Sequence, residues 1–239
     1  MKTIKESGRM KNTSGNGDFK ISPVSVSVII PTLNEKENIV QLIGYVCLAL
    51  LHTNVKRYEV IVVDDSSFNG TPTVVKMLAE KDSNIKLVCR PSRMGLGSAI
   101  MDGIKHSIGE VIIPIDADFS HPPNFIPVLL RRTSISDIVV GSRYVKGGKM
   151  KAPFMRVFLS KVLNCFIRWM LGLQIRDCTG GFMAVKRHIF NFVNVEGKEG
   201  DYAFELLYKA HRLGFKIMEI PFVYEYRKRG ASKINFIRW

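Results

Sequence analysis

Five stretches of this chain, residues 24–30, 58–63, 85–89, 111–115 and 137–140, are dominated by apolar, mostly β-branched side chains. A sheet with one wet face alternates apolar and polar residues along each strand. A strand that is apolar throughout must be covered on both faces, which is the condition of a parallel sheet between two layers of helices. The intervening segments supply such helices, because residues 39–51, 72–78 and 98–106 repeat apolar side chains at three- and four-residue spacing. Right-handed crossovers then give an α/β fold, a doubly wound, mostly parallel sheet. Sheets of this kind bind ligands in a crevice outside the C-terminal ends of their strands, so the residues that follow each apolar run carry the functional argument.

The fourth run, Glu110-Val111-Ile112-Ile113-Pro114-Ile115, passes directly into Asp116-Ala117-Asp118-Phe119-Ser120-His121-Pro122-Pro123. Two carboxylates one residue apart therefore reach the sheet edge. Hard oxygen donors there can hold Mg²⁺ or Mn²⁺ against a diphosphate. The other reading is an Asp-rich turn that caps a helix entered through Pro122-Pro123. The first run ends in Pro31-Thr32-Leu33-Asn34-Glu35 and the second in Asp64-Asp65-Ser66-Ser67. Three acidic clusters at one edge repel one another unless a cation or hydrogen-bond donors satisfy them. The fifth run adds Gly141-Ser142-Arg143-Tyr144, a cation at the same edge. Carboxylates, a metal and an arginine around one pocket suit a nucleotide diphosphate.

With 239 residues the chain is long enough for one large domain. Residues 1–23, rich in Lys, Gly, Ser and Asn, read as a mobile basic tail without the apolar centre of a signal peptide. Residues 24–239 read as a single domain, whose 24–144 half carries the nucleotide-diphosphate crevice and whose 145–239 half departs from the strand–helix alternation. The formal charge of +14 calls for an anionic partner. No nucleic-acid module is recognisable, so nucleic acid is set aside in favour of phosphorylated small molecules or an anionic membrane surface. Cys47, Cys89, Cys165 and Cys178 show neither zinc spacing nor Cys-x-x-Cys and read as free thiols of a reducing compartment. No uninterrupted apolar run reaches 18 residues, so no membrane span is expected.

The C-terminal half opens on the basic loop Gly147-Gly148-Lys149-Met150-Lys151 and continues in a helix over residues 154–171. Arg156, Ser160, Asn164 and Arg168 recur every four residues, a polar stripe on an otherwise apolar cylinder. Core packing is the expectation for most of that apolar surface. Partial seating in a membrane interface is the alternative, supported by Trp169 and the basic neighbours. Gly95-Leu96-Gly97 lacks the third glycine of a dinucleotide fingerprint and reads as a turn. Asp177-Cys178-Thr179-Gly180-Gly181 is either an acceptor-site loop or a tight turn, and His121 reads as structural.

Taken together, Ile30-Pro31-Thr32-Leu33-Asn34-Glu35, Val62-Val63-Asp64-Asp65, Gly95-Leu96-Gly97-Ser98-Ala99, Asp116-Ala117-Asp118-Phe119-Ser120-His121-Pro122 and Gly141-Ser142-Arg143-Tyr144 resemble the family-2 inverting glycosyltransferases of GT-A fold. Within that family the Asp116–His121 string and the Arg227 to Lys233 segment are most similar to dolichol-phosphate mannosyltransferases. The resemblance implies that Pro31, Glu35, Val63 and Asp65 line the guanosine end of GDP-mannose. Leu33, which stands where the family usually has Tyr, counts among the donor-binding positions. Asp116 and Ala117 would contact the ribose or diphosphate side, and Asp118, with Ser120 and Asp116, the divalent metal. Arg143, Arg227 and Lys233 would neutralise the diphosphate and the acceptor phosphate. Arg156 and Ser160 fall where the family grips the phosphate of a dolichyl or polyprenyl phosphate.

The implied reaction is transfer of mannose to that lipid phosphate, with inversion, by a peripheral protein on the cytoplasmic face of a membrane; a membrane-anchoring subunit is a further implied partner. The rival enzymes are a UDP-glucose-dependent polyprenyl-phosphate glucosyltransferase and a family-2 transferase acting on a sugar hydroxyl. The latter needs a carboxylate base, for which Asp201 and Glu205 are the candidates. A non-catalytic nucleotide-sugar-binding subunit is the rival from another class.

Overall fold

The structure, a computed structural model, describes residues 25–225; the basic tail, Arg227 and Lys233 lie outside the described residues. Its centre is a seven-stranded sheet ordered β3-β2-β1-β4-β7-β5-β8. The strands are β1 (Ser25–Thr32), β2 (Arg57–Asp64), β3 (Ile85–Cys89), β4 (Val111–Pro114), β5 (Ile138–Ser142), β7 (Met183–Lys186) and β8 (Ile217–Pro221). A separate parallel pair joins β6 (Lys149–Met150) to β9 (Val223–Tyr224). The first four strands of the sheet run parallel in the register expected of successive crossovers, with Val28 beside Val60 on one flank and Ile113 on the other.

Alternate residues of these strands enter two separate cores. Val28 and Ile30 pack with Ile39, Leu42 and Val46 of α1 (Lys36–Leu51), Val75 of α2 (Thr71–Ala79) and Leu129 of α4 (Ile126–Arg132). Ile29, Ile61 and Val63 face the other way, onto Ala99, Ile100 and Ile104 of α3 (Leu96–Lys105) and Leu206 and Leu207 of α6 (Tyr202–Arg212). Both faces are thus covered, the reason the strand sequences lack a polar side.

The five strand runs and the three helices read from periodicity are present within a few residues of their expected limits. One departure matters for the architecture. β7, only four residues long, inserts antiparallel between β4 and β5 and so makes the sheet mixed. Its run is too short for periodicity to distinguish from a loop.

The second departure concerns α5 (Phe154–Leu171), where core packing was the expectation for most of the apolar surface. That expectation is overturned: only Asn164 and Ile167 of this helix are buried, while Phe154, Phe158, Val162, Phe166 and Trp169 are exposed. The polar stripe turns inward because it has partners there. Asn164 accepts hydrogen bonds from the amides of Cys178 (2.7 Å) and Thr179 (3.2 Å) and donates to the Thr179 hydroxyl (2.8 Å). The helix is amphipathic with its apolar side out.

Candidate active site

The C-terminal ends of β1, β2 and β4 and the loop after β3 open into one crevice. Pro31, Thr32, Leu33 and Glu35 line it from β1, Asp65 from β2, Arg93, Gly95 and Leu96 from the loop after β3, and Asp116, Ala117 and Asp118 from β4. Arg156 of α5, Glu199 and Tyr224 close the remaining side. Eight of the residues singled out from sequence therefore meet in one place: Pro31, Leu33, Glu35, Asp65, Asp116, Ala117, Asp118 and Arg156.

The loops that carry these residues are held in unusual backbone conformations. Asn34, Ser66 and Phe119, each just beyond a strand, have φ of 57°, 67° and 64°, the left-handed region that non-glycine residues seldom occupy. Hydrogen bonds fix the loops at Asn34 and Ser66. The Asn34 amide donates to the Ser67 hydroxyl (2.7 Å), and its side-chain oxygen accepts from the Phe68 amide (3.0 Å). Asp64 accepts from the Thr32 and Ser67 hydroxyls at 3.0 and 2.6 Å. These contacts weld the ends of β1 and β2 into a single rim.

Asp65 has a structural duty beside any ligand role. Its carboxylate accepts the amides of Met94 (2.8 Å) and Gly95 (3.0 Å) and pairs with the buried Arg90 guanidinium at 3.1 Å. Gly95-Leu96-Gly97, expected to be a turn, is instead the start of α3, with Gly95 as its N-cap. Gly95 has φ of 100°, and the Gly97 amide donates to the Lys198 carbonyl at 2.8 Å, so this close approach leaves no room for a side chain.

The remaining expected residues stand outside the lining. Val63 is fully buried in the core beneath α3, and Ser120 is buried behind Asp118, whose Oδ1 accepts the Ser120 amide at 3.0 Å. Ser160 accepts a 2.6 Å hydrogen bond from the Tyr144 hydroxyl. Arg143 is gripped by the fully buried Asp177, with Nε to Oδ2 at 2.8 Å and Nη2 to Oδ1 at 2.6 Å. Burial opposes the guanidinium charge, yet the Asp177 carboxylate outweighs it and pushes the pKa of Arg143 up. The guanidinium lies 5.7 Å from the Tyr224 ring centroid, so it backs the crevice wall from behind. The Asp177 loop is thus an anchor for Arg143. His121 is buried and stacked on Phe182 at 4.8 Å, and its Nδ1 accepts the Asp116 amide at 3.2 Å. This is the structural role its sequence context suggested.

Sequence reasoning missed Arg93, Glu199 and Tyr224. Arg93 follows β3, and the strand-end rule applied to that run would have found it. Tyr224 offered no signal, since it arrives from a distant part of the chain. Burial, followed by the nearby charges of Asp116 and Asp118, pushes its phenol pKa up, with Arg156 acting the other way. These four side chains therefore share one electrostatic neighbourhood.

Among the described residues the crevice is acidic, with five carboxylates lining it (Glu35, Asp65, Asp116, Asp118 and Glu199) against two arginines. A diphosphate entering such a wall needs a cation between the two. Among the described residues no three His, Cys, Asp or Glu side chains group to hold a metal by themselves. Mg²⁺ is commonly held by one or two carboxylates together with substrate phosphates, so the hard oxygens of Asp116 and Asp118 fit that donor set. Asp201 and Glu205 do not line the crevice. Asp201 accepts the Glu199 amide at 2.9 Å, and Glu205 accepts the Gly197 amide at 2.7 Å and pairs with Lys209 at 2.6 Å. Burial would raise the Glu205 pKa, but Lys209 and the amides of Gly197 and Glu196 hold it below the usual range.

The sequence profile described as "Glycosyl transferase family 2" matches residues 27–193. A dolichol-phosphate mannosyltransferase of Pyrococcus furiosus is 38% identical over 89% of the chain, which spans 60% of that relative's length. A polyprenol monophosphomannose synthase of Mycolicibacterium smegmatis is 32% identical over 95% of the chain and 88% of its own. An undecaprenyl-phosphate mannosyltransferase of Micrococcus luteus is 33% identical over 88% of the chain and 87% of its own. Among solved structures, glucosyl-3-phosphoglycerate synthase from Mycobacterium tuberculosis, in complex with Mn²⁺, UDP and phosphoglyceric acid, superposes with a TM-score of 0.66. It is 21% identical, over 87% of this chain and 72% of that one, and shares the fold.

Proposed function

We propose, from the premise that this chain belongs to glycosyl transferase family 2, that it transfers mannose from GDP-mannose to a polyprenyl phosphate with inversion at the anomeric carbon. The observation that carries this reading is the convergence in one crevice of strand-end carboxylates from β1, β2 and β4 with Arg156 of α5. The exposed apolar face of that same helix offers a lipid acceptor a surface to approach along. The names of the relatives support the acceptor class.

A phosphate monoester, with a second pKa of about 6, is already nucleophilic at neutral pH and needs no base. The chain's own task is to align two anions and neutralise their repulsion. Arg156, which lines the crevice, would grip the acceptor phosphate through charge-assisted hydrogen bonds. Arg143, fixed by Asp177, stiffens the wall at Tyr224. Asp116 and Asp118 would hold the Mg²⁺ or Mn²⁺, which as a Lewis acid stabilises the charge of the departing diphosphate. A hydroxyl acceptor would need a base, and Asp201 and Glu205 are engaged in the turn before α6 instead.

Among the described residues no helix is long and apolar enough to cross a membrane, and the proposed place of action is peripheral, on the cytoplasmic face. The test is turnover of a panel of nucleotide sugars with a short polyprenyl phosphate. GDP-mannose is expected to be the productive donor, and Asp118→Ala or excess EDTA to abolish transfer with the fold retained. Preference for UDP-glucose would replace the donor assignment, and full activity of Asp118→Ala would remove the metal role.

A further inference from the structure

Arg143, which does not line the crevice, lines a second polar cavity, of about 420 Å³. Lys161, Cys165 and Arg168 of α5 line it at i, i+4 and i+7 and so form one ridge of the helix. Arg176 closes it from the loop that follows. The polar groups in its floor are already engaged, Arg143 by Asp177 and Asn164 by the amides of Cys178 and Thr179. The other three cations are different. Lys161, Arg168 and Arg176 form no ion pair among the described residues. The Nε of Arg168 is buried without a hydrogen-bond partner there. Three like charges around one cavity repel one another unless an anion neutralises them.

The place of the cavity on α5 identifies the anion. At 3.6 residues per turn, the Lys161-Cys165-Arg168 ridge borders the stripe that carries Phe158, Val162 and Trp169, all exposed. Arg156 lies about 140° around the helix from Lys161, toward the crevice. An anion in the cavity therefore sits beside an exposed apolar surface and apart from the reacting groups. We propose that this cavity binds the phosphate of an anionic phospholipid headgroup, whose acyl chains run beside the apolar stripe of α5. The site is additional to the acceptor's, and it does not rest on the transferase reading, because its occupancy is measured without donor.

Lys161 and Arg176 are exposed, so the double variant Lys161→Gln/Arg176→Gln keeps the fold. Lys146→Gln/Lys149→Gln, two exposed cations at the turn into β6, is the charge-matched control. Co-sedimentation is measured with phosphatidylcholine vesicles and with vesicles containing phosphatidylglycerol. The general attraction of two cations to an anionic surface is worth at most about thirty-fold and is lost by both variants, and the cavity variant is expected to lose about tenfold more than the control through its charge-assisted hydrogen bonds to the phosphate. Transfer to a short polyprenyl phosphate in detergent should be unchanged in the cavity variant. Equal losses in the two variants would reduce the effect to the general field of the surface and overturn the site. Loss of transfer in detergent would make the cavity part of the acceptor site. Binding of inorganic phosphate that the cavity variant removes, with vesicle partition unchanged, would assign it to a free anion. Either result overturns the proposal.

Discussion

Asp177 has no contact with solvent, and its carboxylate takes hydrogen bonds from the backbone amide, Nε and Nη2 of Arg143. Removing one partner of a buried ion pair leaves the other charge without compensation, which costs about 3–5 kcal/mol. Asp177→Ala is therefore expected to lower unfolding free energy by that amount in urea titrations, and a change below about 1 kcal/mol would show that Arg143 finds another partner. At this scale the sequence was legible where chain order and space agree. Asp116 and Asp118 belong to the crevice because they end a strand, and the strand was plain from its composition. The Arg143–Asp177 pair was not legible, since 34 residues separate partners that only the completed fold brings together. Asp65 was half legible: its position at the rim follows from β2, while its hold on Met94 and Gly95 depends on where the next crossover begins.

At the scale of the element, α5 departs furthest from what its sequence suggested. The helix itself follows from its length and the glycine after it, with Gly172 as a left-handed C-cap. Its orientation does not, because apolar residues occupy most of its circumference and either side could have been the buried one. The hydrogen bonds of Asn164 decide the matter, and they connect to a loop whose position no periodicity reveals. If the outward face seats in a bilayer interface, Phe158→Ser/Trp169→Ser should weaken vesicle partition by at least about tenfold, since full burial of one large apolar side chain is worth roughly 1.5–3 kcal/mol. Both residues are 50% exposed or more, so thermal unfolding should hardly change. Flotation with neutral vesicles isolates the apolar contribution, and an unchanged distribution there would mean that α5 does not meet the lipid. β7 was missed for a simpler reason: four residues are too few for a period to declare itself.

At the scale of the whole molecule, a chain of net charge +14 carries, among the described residues, five carboxylates against two arginines around its crevice. Attraction to an anionic bilayer should then fall steeply between low and physiological salt, as the Debye length shortens to about 8 Å. Partition measured against ionic strength tests this, and a flat response would leave the apolar face of α5 as the sole attachment. The short strand β7 has a different consequence, for the order in which the chain is made. β4 and β5 are sheet neighbours only through it, and it is translated more than forty residues after β5. Until residue 186 emerges, the growing chain has the fragment β3-β2-β1-β4, with an open edge at β4, and the lone strand β5, whose sheet partners β7 and β8 both come later. The segment that includes α5, with its outward apolar face, is therefore synthesised before the sheet beneath it can close.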